Sequence, residues 1–325
     1  MTGDRSPVPE GHNYAGMTTP LRRSLAEAPS SLKLWQDYTA AACEAGRYRE
    51  ARWTVQRVKT LNPSPAVERP VRSIVIPVLD YSPNSPYDIV SLLADLQDFD
   101  GEVICVFNSA EMFADLSEHP RIDKFSFNKH NIGVSRSWNT GINQAEGDVI
   151  FVLNADLKVS LDALAALERY VLTLPRALAV GINGNFMSFD PLRPSRRIEV
   201  GSFAEPFVVD TLSGFAFALH AARLHDAGIS FDPRLSPHFF EEVDLVLKAR
   251  RAGYDIYAAP VTGIEHVAGI SLHVQPLTCF GKPVDRIDVL IRNGNIILDR
   301  YENEPGAVRA GDGQVLSSTA PLKRE

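Results

Sequence analysis

Short, wholly apolar runs recur along the middle of the chain, and amphipathic stretches separate them. The apolar runs are predicted strands at 73–79, 102–107, 148–153 and 177–182. The amphipathic stretches are predicted helices at 87–96, 134–145 and 161–174. Strands that are apolar on both faces and alternate with helices are typical of a covered, mostly parallel sheet. The pattern therefore predicts an α/β domain over residues 68–301.

A separate helical pattern precedes this domain, at residues 21–67. Apolar residues recur at helical spacing from Ser31, Gly46 breaks the pattern, and a second amphipathic run ends at "NPSP". With its Trp, its Gly-Arg-Tyr turn and its closing Pro, the segment resembles one tetratricopeptide repeat. One repeat cannot bury its own face, so we expect the face of Trp35, Tyr38 and Val55 to pack on the main domain or in a homodimer.

Both ends of the chain are polar and differ from the rest. Residues 1–20 are rich in Pro, Gly, Ser and Thr, and residues 302–325 are polar and contain Gly. Such segments bury too little apolar surface to fold alone, so we predict disorder in the first and a flexible tail in the second.

Polar side chains follow three of the predicted strands. Asp80 and Asn108 follow the first two, and Asn154 and Asp156 follow the third. Ligands of parallel sheets bind beyond the carboxyl ends of the strands, so these residues are candidates for a site. Because an unpaired buried carboxylate is costly, Asp156 should meet solvent, a partner or a metal.

Composition narrows the function classes. The chain has 325 residues, 45% of them hydrophobic, and a formal net charge of −7. That charge disfavours nucleic acid as the main partner, since phosphate binding needs a basic field. No apolar run has the length of a membrane span, and the N-terminus lacks the apolar core of a signal peptide. The three cysteines fit no zinc spacing and predict reduced thiols in a cytoplasmic protein.

The stretch "NKHNIGVSRSWNTGINQAEGDVIFVLNADLKV" (128–159) carries the most specific pattern. It resembles the family-2-type glycosyltransferases of the GT-A fold, which have Asn-x-Gly, a helix with Asn-x-Gly-Ile, Gly-Asp, and an apolar strand that ends in Asp-x-Asp. The matching residues are Asn131, Gly133, Asn139, Gly141, Ile142, Gly147, Asp148 and Asp156. "NAD" at 154–156 is similar to the Asn-Pro-Asp of the rhamnosyltransferase-like branch. The resemblance implies that Asp156 holds a divalent metal and that Asn154 faces the donor; the alternative is a simple turn.

A second block, "SGFAFALHAARLHDAGISFDPRLSPHFFEEVDL" (213–245), resembles the C-terminal half of the same family. The family's Glu-Asp-x-Asp-Leu falls on Glu241, Glu242 and Asp244, so its catalytic-base Asp is a Glu here. Inverting transfer needs a carboxylate that takes the proton of the acceptor hydroxyl. We expect Glu242 to be that base, with Glu241 one position earlier as the alternative. Helix capping by acids in a first turn is the structural alternative.

Two further positions follow from the resemblance. His266 in "IEHVAG" matches a downstream His that completes the metal site, where a His and a carboxylate suit Mn²⁺ or Mg²⁺. Arg292 in "RNGNIILDRY" lies in a helix that resembles the Arg-Asn helix of rhamnosyltransferase-like members. It either contacts the donor phosphates or closes the fold.

The resemblance implies a set of donor-binding residues. They are Pro77, Asp80, Asn108, Asn131, Gly133, Asn139, Asn154 and Arg292. Two departures leave the nucleotide open: Phe107-Asn108 stands where the family has Asp-Asn, and Ser137-Trp138-Asn139 where it has Ala-Arg-Asn. Phe107 and Trp138 either stack on a base or belong to the core.

Residues 185–206 are predicted to be a long irregular loop, and such loops tend to be functional. Its three arginines, at 193, 196 and 197, could meet a diphosphate or an acidic acceptor, or form a solvated cluster.

The sequence therefore predicts a metal-dependent, inverting glycosyltransferase that uses a nucleoside-diphosphate sugar and an acceptor hydroxyl. A catalytically inactive GT-A-like binding module is the first alternative. A nucleotidyltransferase is disfavoured because "PVLDYSPNSPYD" lacks a loop rich in Gly and Lys. A role as an interaction protein would rest on a single helical repeat.

Overall fold

The computed structural model describes residues 18–44, 54, 71–82, 85–189, 191–267 and 277–303. The chain divides into two units, residues 1–69 and 70–325.

The first unit contains helices α1 (Thr18–Glu27) and α2 (Leu32–Glu44). Their buried apolar side chains form one cluster: Leu21, Leu25, Trp35, Tyr38 and Ala41. Helix α1 begins inside the segment for which the sequence predicted disorder. The rest of the predicted repeat, with Gly46, Val55 and "NPSP", lies outside the described residues, so the repeat-like hairpin stays a prediction.

An eight-stranded sheet organises the second unit. Its strands are β1 (Arg72–Val78), β2 (Glu102–Phe107), β3 (Lys124–Phe127), β4 (Val149–Leu153), β6 (Ala177–Gly181), β9 (Phe207–Val208), β11 (Ala216–His220) and β12 (Asp255–Ala258). The order across the sheet is β3-β2-β1-β4-β11-β6-β12-β9. Strands β3, β2, β1 and β4 are parallel to one another, and so are β6 and β12. Strand β11 runs antiparallel between β4 and β6, and β9 pairs antiparallel with β12 at the edge.

Smaller elements surround this sheet. Strands β7 (Gly184–Phe189), β8 (Leu192–Ile198) and β10 (Thr211–Leu212) form a second sheet, and β5 (Leu157–Val159) pairs with β13 (Ile264–His266). Strands β14 (Thr278–Cys279) and β15 (Lys282–Pro283) form a hairpin. The helices are α3 (Ile89–Asp95), α4 (Ala110–Leu116), α5 (Val134–Ile142), α6 (Leu161–Thr173), α7 (Ala221–Asp226), α8 (Glu241–Arg251) and α9 (Arg286–Asn303).

The core lies on both faces of the large sheet, as expected for strands without a polar face. All five residues of β4 and all five of β6 are buried. Local signals set where the helices begin: Asp88 forms a capping box with Ser91, and the Ser160 side chain accepts a hydrogen bond from the Ala163 amide. The predicted α/β class with a mostly parallel sheet is confirmed.

The prediction of an irregular loop at 185–206 is wrong for most of that range, because strands β7 and β8 form an antiparallel hairpin there. Pro191 and Pro194 interrupt this segment, and prolines are unfavourable in a strand, so the sequence did not indicate a hairpin. Pro194 lies within β8, which is an edge strand, and an edge strand can accept a residue without an amide donor. The three arginines lie exposed on β8.

The aromatic residues at the two family departures belong to the core. Phe107 is fully buried and Trp138 is 1% exposed. The Trp138 ring packs edge-on against Phe217 and Phe231, with ring centroids 5.4 and 4.8 Å away. Neither ring lines the cavity described next, so of the two alternatives the structure supports core packing.

Candidate functional site

A cavity of about 510 Å³ opens beyond the carboxyl ends of β1, β2 and β4. Seven of the residues predicted for donor or metal binding line it: Pro77, Asp80, Asn108, Asn131, Gly133, Asn154 and Asp156. Parallel strand ends meet at one edge of a sheet, and that geometry brings these sequence-distant residues together.

Other lining residues were not predicted from the sequence. The polar ones among them are Ser82, Ser109, Lys129, His130, Ser137, His238 and Thr278. Lys129 and His130 lie inside the stretch 128–159 that carries the most specific pattern, so their position in the sequence could have marked them as candidates for the site. Thr278 reaches the cavity from the β14–β15 hairpin, and no local pattern could have placed it there.

Neutral amides form one wall of the cavity. The Asn108 amide donates to Oγ of Ser137 over 2.8 Å, and the Asn128 amide donates to Oδ1 of Asn108 over 3.3 Å. Both bonds fix the orientation of Asn108, which is only 6% exposed. This wall can therefore offer amide groups, and no charge, to a nucleoside.

Asn131 joins two parts of the rim. Its Oδ1 accepts from the Gly133 amide over 2.9 Å, and its Nδ2 donates to the Thr278 carbonyl over 3.0 Å. Gly133 has φ = 87°, and a β-carbon there would lie 2.7 Å from Oγ of Ser236. Only glycine fits this turn, which begins α5, and the Val134 amide that follows donates to the Pro237 carbonyl over 2.7 Å.

Asp156 and His266 form a candidate metal pair. Strands β5 and β13 pair antiparallel, with His266 opposite Leu157, which places Nε2 of His266 3.5 Å from Oδ2 of Asp156. Both atoms are buried and lack a hydrogen-bond partner among the described residues. The His266 ring stacks on Phe215, with centroids 4.5 Å apart, so its direction is fixed.

These two residues fit a divalent cation that takes nitrogen and oxygen ligands. Two buried acceptors that face each other without a donor between them are expensive unless a cation or proton joins them. No group of three or more His, Cys, Asp or Glu side chains within the described ranges could hold a metal. Water and ligand oxygens would therefore have to complete the coordination.

The acidic run opens helix α8, directly after two residues in the left-handed region. Phe239 has φ = 85° and Phe240 has φ = 73°. Glu241 is 3% exposed, and burial together with the charge of Glu242 raises its pKa well above the usual value. Glu242 keeps part of its surface exposed, yet the burial of its carboxyl group raises its pKa to about 7.

Asp244 has a structural environment. It is fully buried and forms ion pairs with Lys248, at 2.7 Å, and with Arg300 of α9. A carboxylate that is paired on two sides is not available as a base. Of the three acids, Asp244 therefore orients the helix start.

Two residues predicted for donor binding bond instead to backbone groups of this chain. The Asn139 amide accepts from the Phe231 amide over 3.0 Å and donates to the Phe231 carbonyl over 2.8 Å. Arg292 donates to the Ser236 carbonyl and to Oδ1 of Asn293. The structure does not bring Asn139 or Arg292 into the cavity lining.

Comparison with known protein families finds a match for the first part of the second unit. Residues 73–224 match the family "Glycosyl transferase family 2". No curated protein matches the chain by sequence.

Solved structures resemble the fold at low sequence identity. GalNAc-T7 with UDP, GalNAc and Mn²⁺ superimposes with a TM-score of 0.54 at 14% identity, over 72% of this chain and 48% of GalNAc-T7. The chain thus spans about half the length of that protein. The mannosyltransferase PcManGT from Pyrobaculum calidifontis, with GDP-Man and Mn²⁺, gives a TM-score of 0.43 at 17% identity, over 76% of this chain and 66% of that one. TarS 1–349 of S. aureus with UDP gives 0.44 at 18% identity, over 72% of each chain.

No helix in the described part of the chain has the length and apolarity needed to cross a membrane. The matched family and the sheet architecture agree with each other and with the motif at the end of β4. Residues 73–224 are thus similar to glycosyl transferase family 2, and the second unit has the GT-A fold.

Proposed function

We propose that this protein is a metal-dependent, inverting glycosyltransferase that moves a sugar from a nucleoside-diphosphate donor to an acceptor hydroxyl. The observation that carries the proposal is the Asp156–His266 pair beside a cavity of about 510 Å³. Oδ2 of Asp156 and Nε2 of His266 are buried and have no hydrogen-bond partner within the described ranges. The UDP and Mn²⁺ of the GalNAc-T7 structure belong to that protein. We extend a nucleotide donor and a divalent metal to this chain as part of the proposal.

The donor would occupy the cavity with its nucleoside towards the amide wall of Asn108 and its diphosphate towards Asp156. Asn131 and Gly133 line the same cavity. Asp156 and His266 would hold Mn²⁺ or Mg²⁺. When bound, such an ion neutralises the charge that develops on the departing diphosphate.

Glu242 fits the role of base better than Glu241. A base must be ionised at the working pH and still bind a proton strongly enough to remove it, so a pKa near 7 is favourable. Burial raises the pKa of Glu242 to about 7, and part of its surface stays exposed. Glu241 is 3% exposed, and burial together with the charge of Glu242 raises its pKa well above the usual value, so it is the less accessible of the two. Glu242 would take the acceptor proton as the acceptor oxygen bonds to the anomeric carbon. The carbon–oxygen bond to the diphosphate breaks on the opposite face, which inverts the configuration.

A binding screen tests the first half of the proposal. Nucleoside diphosphates and nucleotide sugars, each with Mn²⁺, with Mg²⁺ and with EDTA, should be ranked by the rise in melting temperature. A ligand that binds only the native state raises stability by mass action. We expect one nucleotide to stabilise the protein in the presence of metal only. If none does, the donor and metal assignments both fail.

Turnover tests the second half. The nucleotide sugar that gives the largest shift should release its nucleoside diphosphate slowly in water and faster with the correct acceptor. Tight, metal-dependent binding without any release would instead support a binding module on the same fold.

The proposal includes a cytoplasmic location and a homodimer through residues 21–67. Cys105 and Cys279 are free and buried, in keeping with reduced thiols. Light scattering of the full chain and of residues 70–325 tests the dimer: the full chain should be dimeric and the truncated chain monomeric.

A further inference from the structure

The segment that leads into Glu241 and Glu242 is held by two adjacent residues of the last helix. The Asn293 amide nitrogen donates to the carbonyls of Leu235 at 2.7 Å, His238 at 2.8 Å and Phe239 at 3.3 Å. Its neighbour Arg292 donates to the carbonyl of Ser236. Asn293 itself is fully buried.

Arg292 also fixes the orientation of the Asn293 amide. The Oδ1 atom of Asn293 accepts from Nε of Arg292 at 3.1 Å and from Nη2 at 3.0 Å. The amide therefore cannot flip without placing its oxygen against the loop carbonyls. All of its nitrogen donors point at segment 235–239.

That segment has a backbone conformation that its sequence does not favour. Phe239 and Phe240 both have positive φ, at 85° and 73°, directly before the acids. A residue with a β-carbon rarely adopts this region, and such strained sites persist only where the surrounding structure determines them. The Asn293 bond to the Phe239 carbonyl lies at this point of strain.

The same helix holds the far side of the acids. Arg300, seven residues after Asn293 and on the same helical face, pairs with Asp232 at 2.8 Å and with Asp244. Side chains of helix α9 thus bind the chain on both sides of Glu241 and Glu242. They contact residues 232–239 before the two acids and Asp244 after them. This helix lies outside residues 73–224, the range of the family match.

We infer that Asn293 is the positioning residue of the acidic pair: its three hydrogen bonds hold Phe239 and Phe240 in the left-handed conformation that directs Glu242 towards the acceptor. The inference rests on the proposed role of Glu242. Asn293 does not line the donor cavity, but Pro237 and His238 of the segment do, so its loss should lower turnover by a larger factor than it weakens donor binding.

The test is Asn293→Asp, which keeps the shape and the acceptor towards Arg292 but removes the two N–H donors that make the three hydrogen bonds. Asn295→Asp is the matched control, since Asn295 is exposed on the same helix and takes the same change of charge. Asn293→Ser is a milder second variant, in case the carboxylate prevents folding. Amide hydrogen exchange of residues 236–242 is measured first, because it requires no knowledge of the substrate.

We expect exchange in this segment to rise at least about tenfold in both Asn293 variants, while the control and the strands of the large sheet stay as in the wild type. For release of nucleoside diphosphate from the donor found by the screen, kcat should fall about 10- to 100-fold, as expected for a displaced catalytic group. The donor KM and the melting shift with Mn²⁺ and the nucleoside diphosphate found by the screen should change by a smaller factor than kcat.

Unchanged exchange in the Asn293 variants would overturn the inference outright. A rise in exchange with unchanged kcat would also overturn it. Asn293 would then stabilise the segment, but the position of Glu242 would not depend on it. If the screen finds no nucleotide sugar, the proposed function fails while the exchange result still decides whether Asn293 holds the segment.

Discussion

The carboxylate of Glu242 fills the space beside the Cα atom of Gly214, where a β-carbon would lie 1.6 Å from Oε1. The Trp138 ring borders the same space, 3.2 Å from that position. Glycine at 214 is therefore a steric requirement of the acid's position. The "SG" of the second motif block and the "EE" that follows 27 residues later are parts of one contact.

Gly214→Ala should displace Glu242 and lower turnover about 10- to 100-fold, as a misplacement of about 1 Å can do. Metal-dependent nucleotide binding should stay close to wild type, because Gly214 does not line the donor cavity. Steady-state release of nucleoside diphosphate measures the first effect, and calorimetric titration with UDP and Mn²⁺ the second.

Gly294→Ala is the matched control for that change. Gly294 lies in helix α9, and its added β-carbon would meet the nearest atoms at an ordinary 3.7 Å. This variant should be fully active and up to about 1 kcal/mol more stable. Equal turnover in the two variants would contradict the proposed position of Glu242.

The metal pair gives a second prediction. Asp156→Ala should abolish metal-dependent nucleotide binding with the fold intact, and His266→Ala should weaken it by about 10- to 100-fold, since one of several ligands is lost. Melting shifts with a nucleoside diphosphate, measured across a Mn²⁺ titration, report both. Asp226→Ala and His225→Ala, both exposed on α7, serve as controls. Wild-type Mn²⁺ dependence in Asp156→Ala would refute the metal site.

Glu242→Gln tests the base. It keeps the size of the side chain but cannot accept a proton, so turnover should fall by about two to four orders of magnitude with donor affinity almost unchanged. Glu242→Asp should retain part of the activity. If Glu241→Gln were the inactive variant and Glu242→Gln were not, the base would be one position earlier.

The pH profile of the wild type gives a fourth prediction. The base must be ionised, and burial raises the pKa of Glu242 to about 7, so kcat/KM should rise with pH to a plateau with a midpoint near 7. A profile that is flat between about pH 5 and pH 8 would exclude Glu242 as the group that titrates.

The same shift of the pKa predicts the pH dependence of stability. The pKa of Glu242 rises from 4.5 to about 7 on folding, so the folded protein binds its proton more tightly than the unfolded chain does. Between these values the free energy of unfolding should fall as pH rises. Since Gln does not titrate, Glu242→Gln should gain stability relative to wild type over that interval. Urea unfolding of both proteins at several pH values measures the difference.

Asp244→Asn tests the structural role of the third acid. It removes one of the two carboxylates that pair with Arg300 and a partner of Lys248, so the free energy of unfolding should fall by about 1–3 kcal/mol. Asp98→Asn, at an exposed position, should change it by less than about 0.5 kcal/mol. If Asp244→Asn kept full stability but lost turnover, Asp244 would belong to the catalytic group.

The sequence by itself determined the sheet and the identity of most residues at its edge. Apolar runs such as "VIFVL" must be buried, helices must cover them, and the polar residues that follow them must collect where parallel strands end. Asp156, Asn108 and Gly133 could be assigned to the site because each stands at such an end or in a local turn with a distinctive pattern.

Contacts between distant segments decided the rest. Asn139 bonds to Phe231, 92 residues away, and Asn293 to segment 235–239, more than 50 residues away. A sequence pattern shows which residue types can form hydrogen bonds. It does not show whether the amide of an Asn binds a ligand or a backbone carbonyl, because the residue is the same in both cases. Only the packing of α5 and α9 against residues 231–239 gave these two amides backbone partners. In the same way, only the pairing of β5 with β13 placed Oδ2 of Asp156 near Nε2 of His266, and neither atom has a hydrogen-bond partner in the described part of the chain.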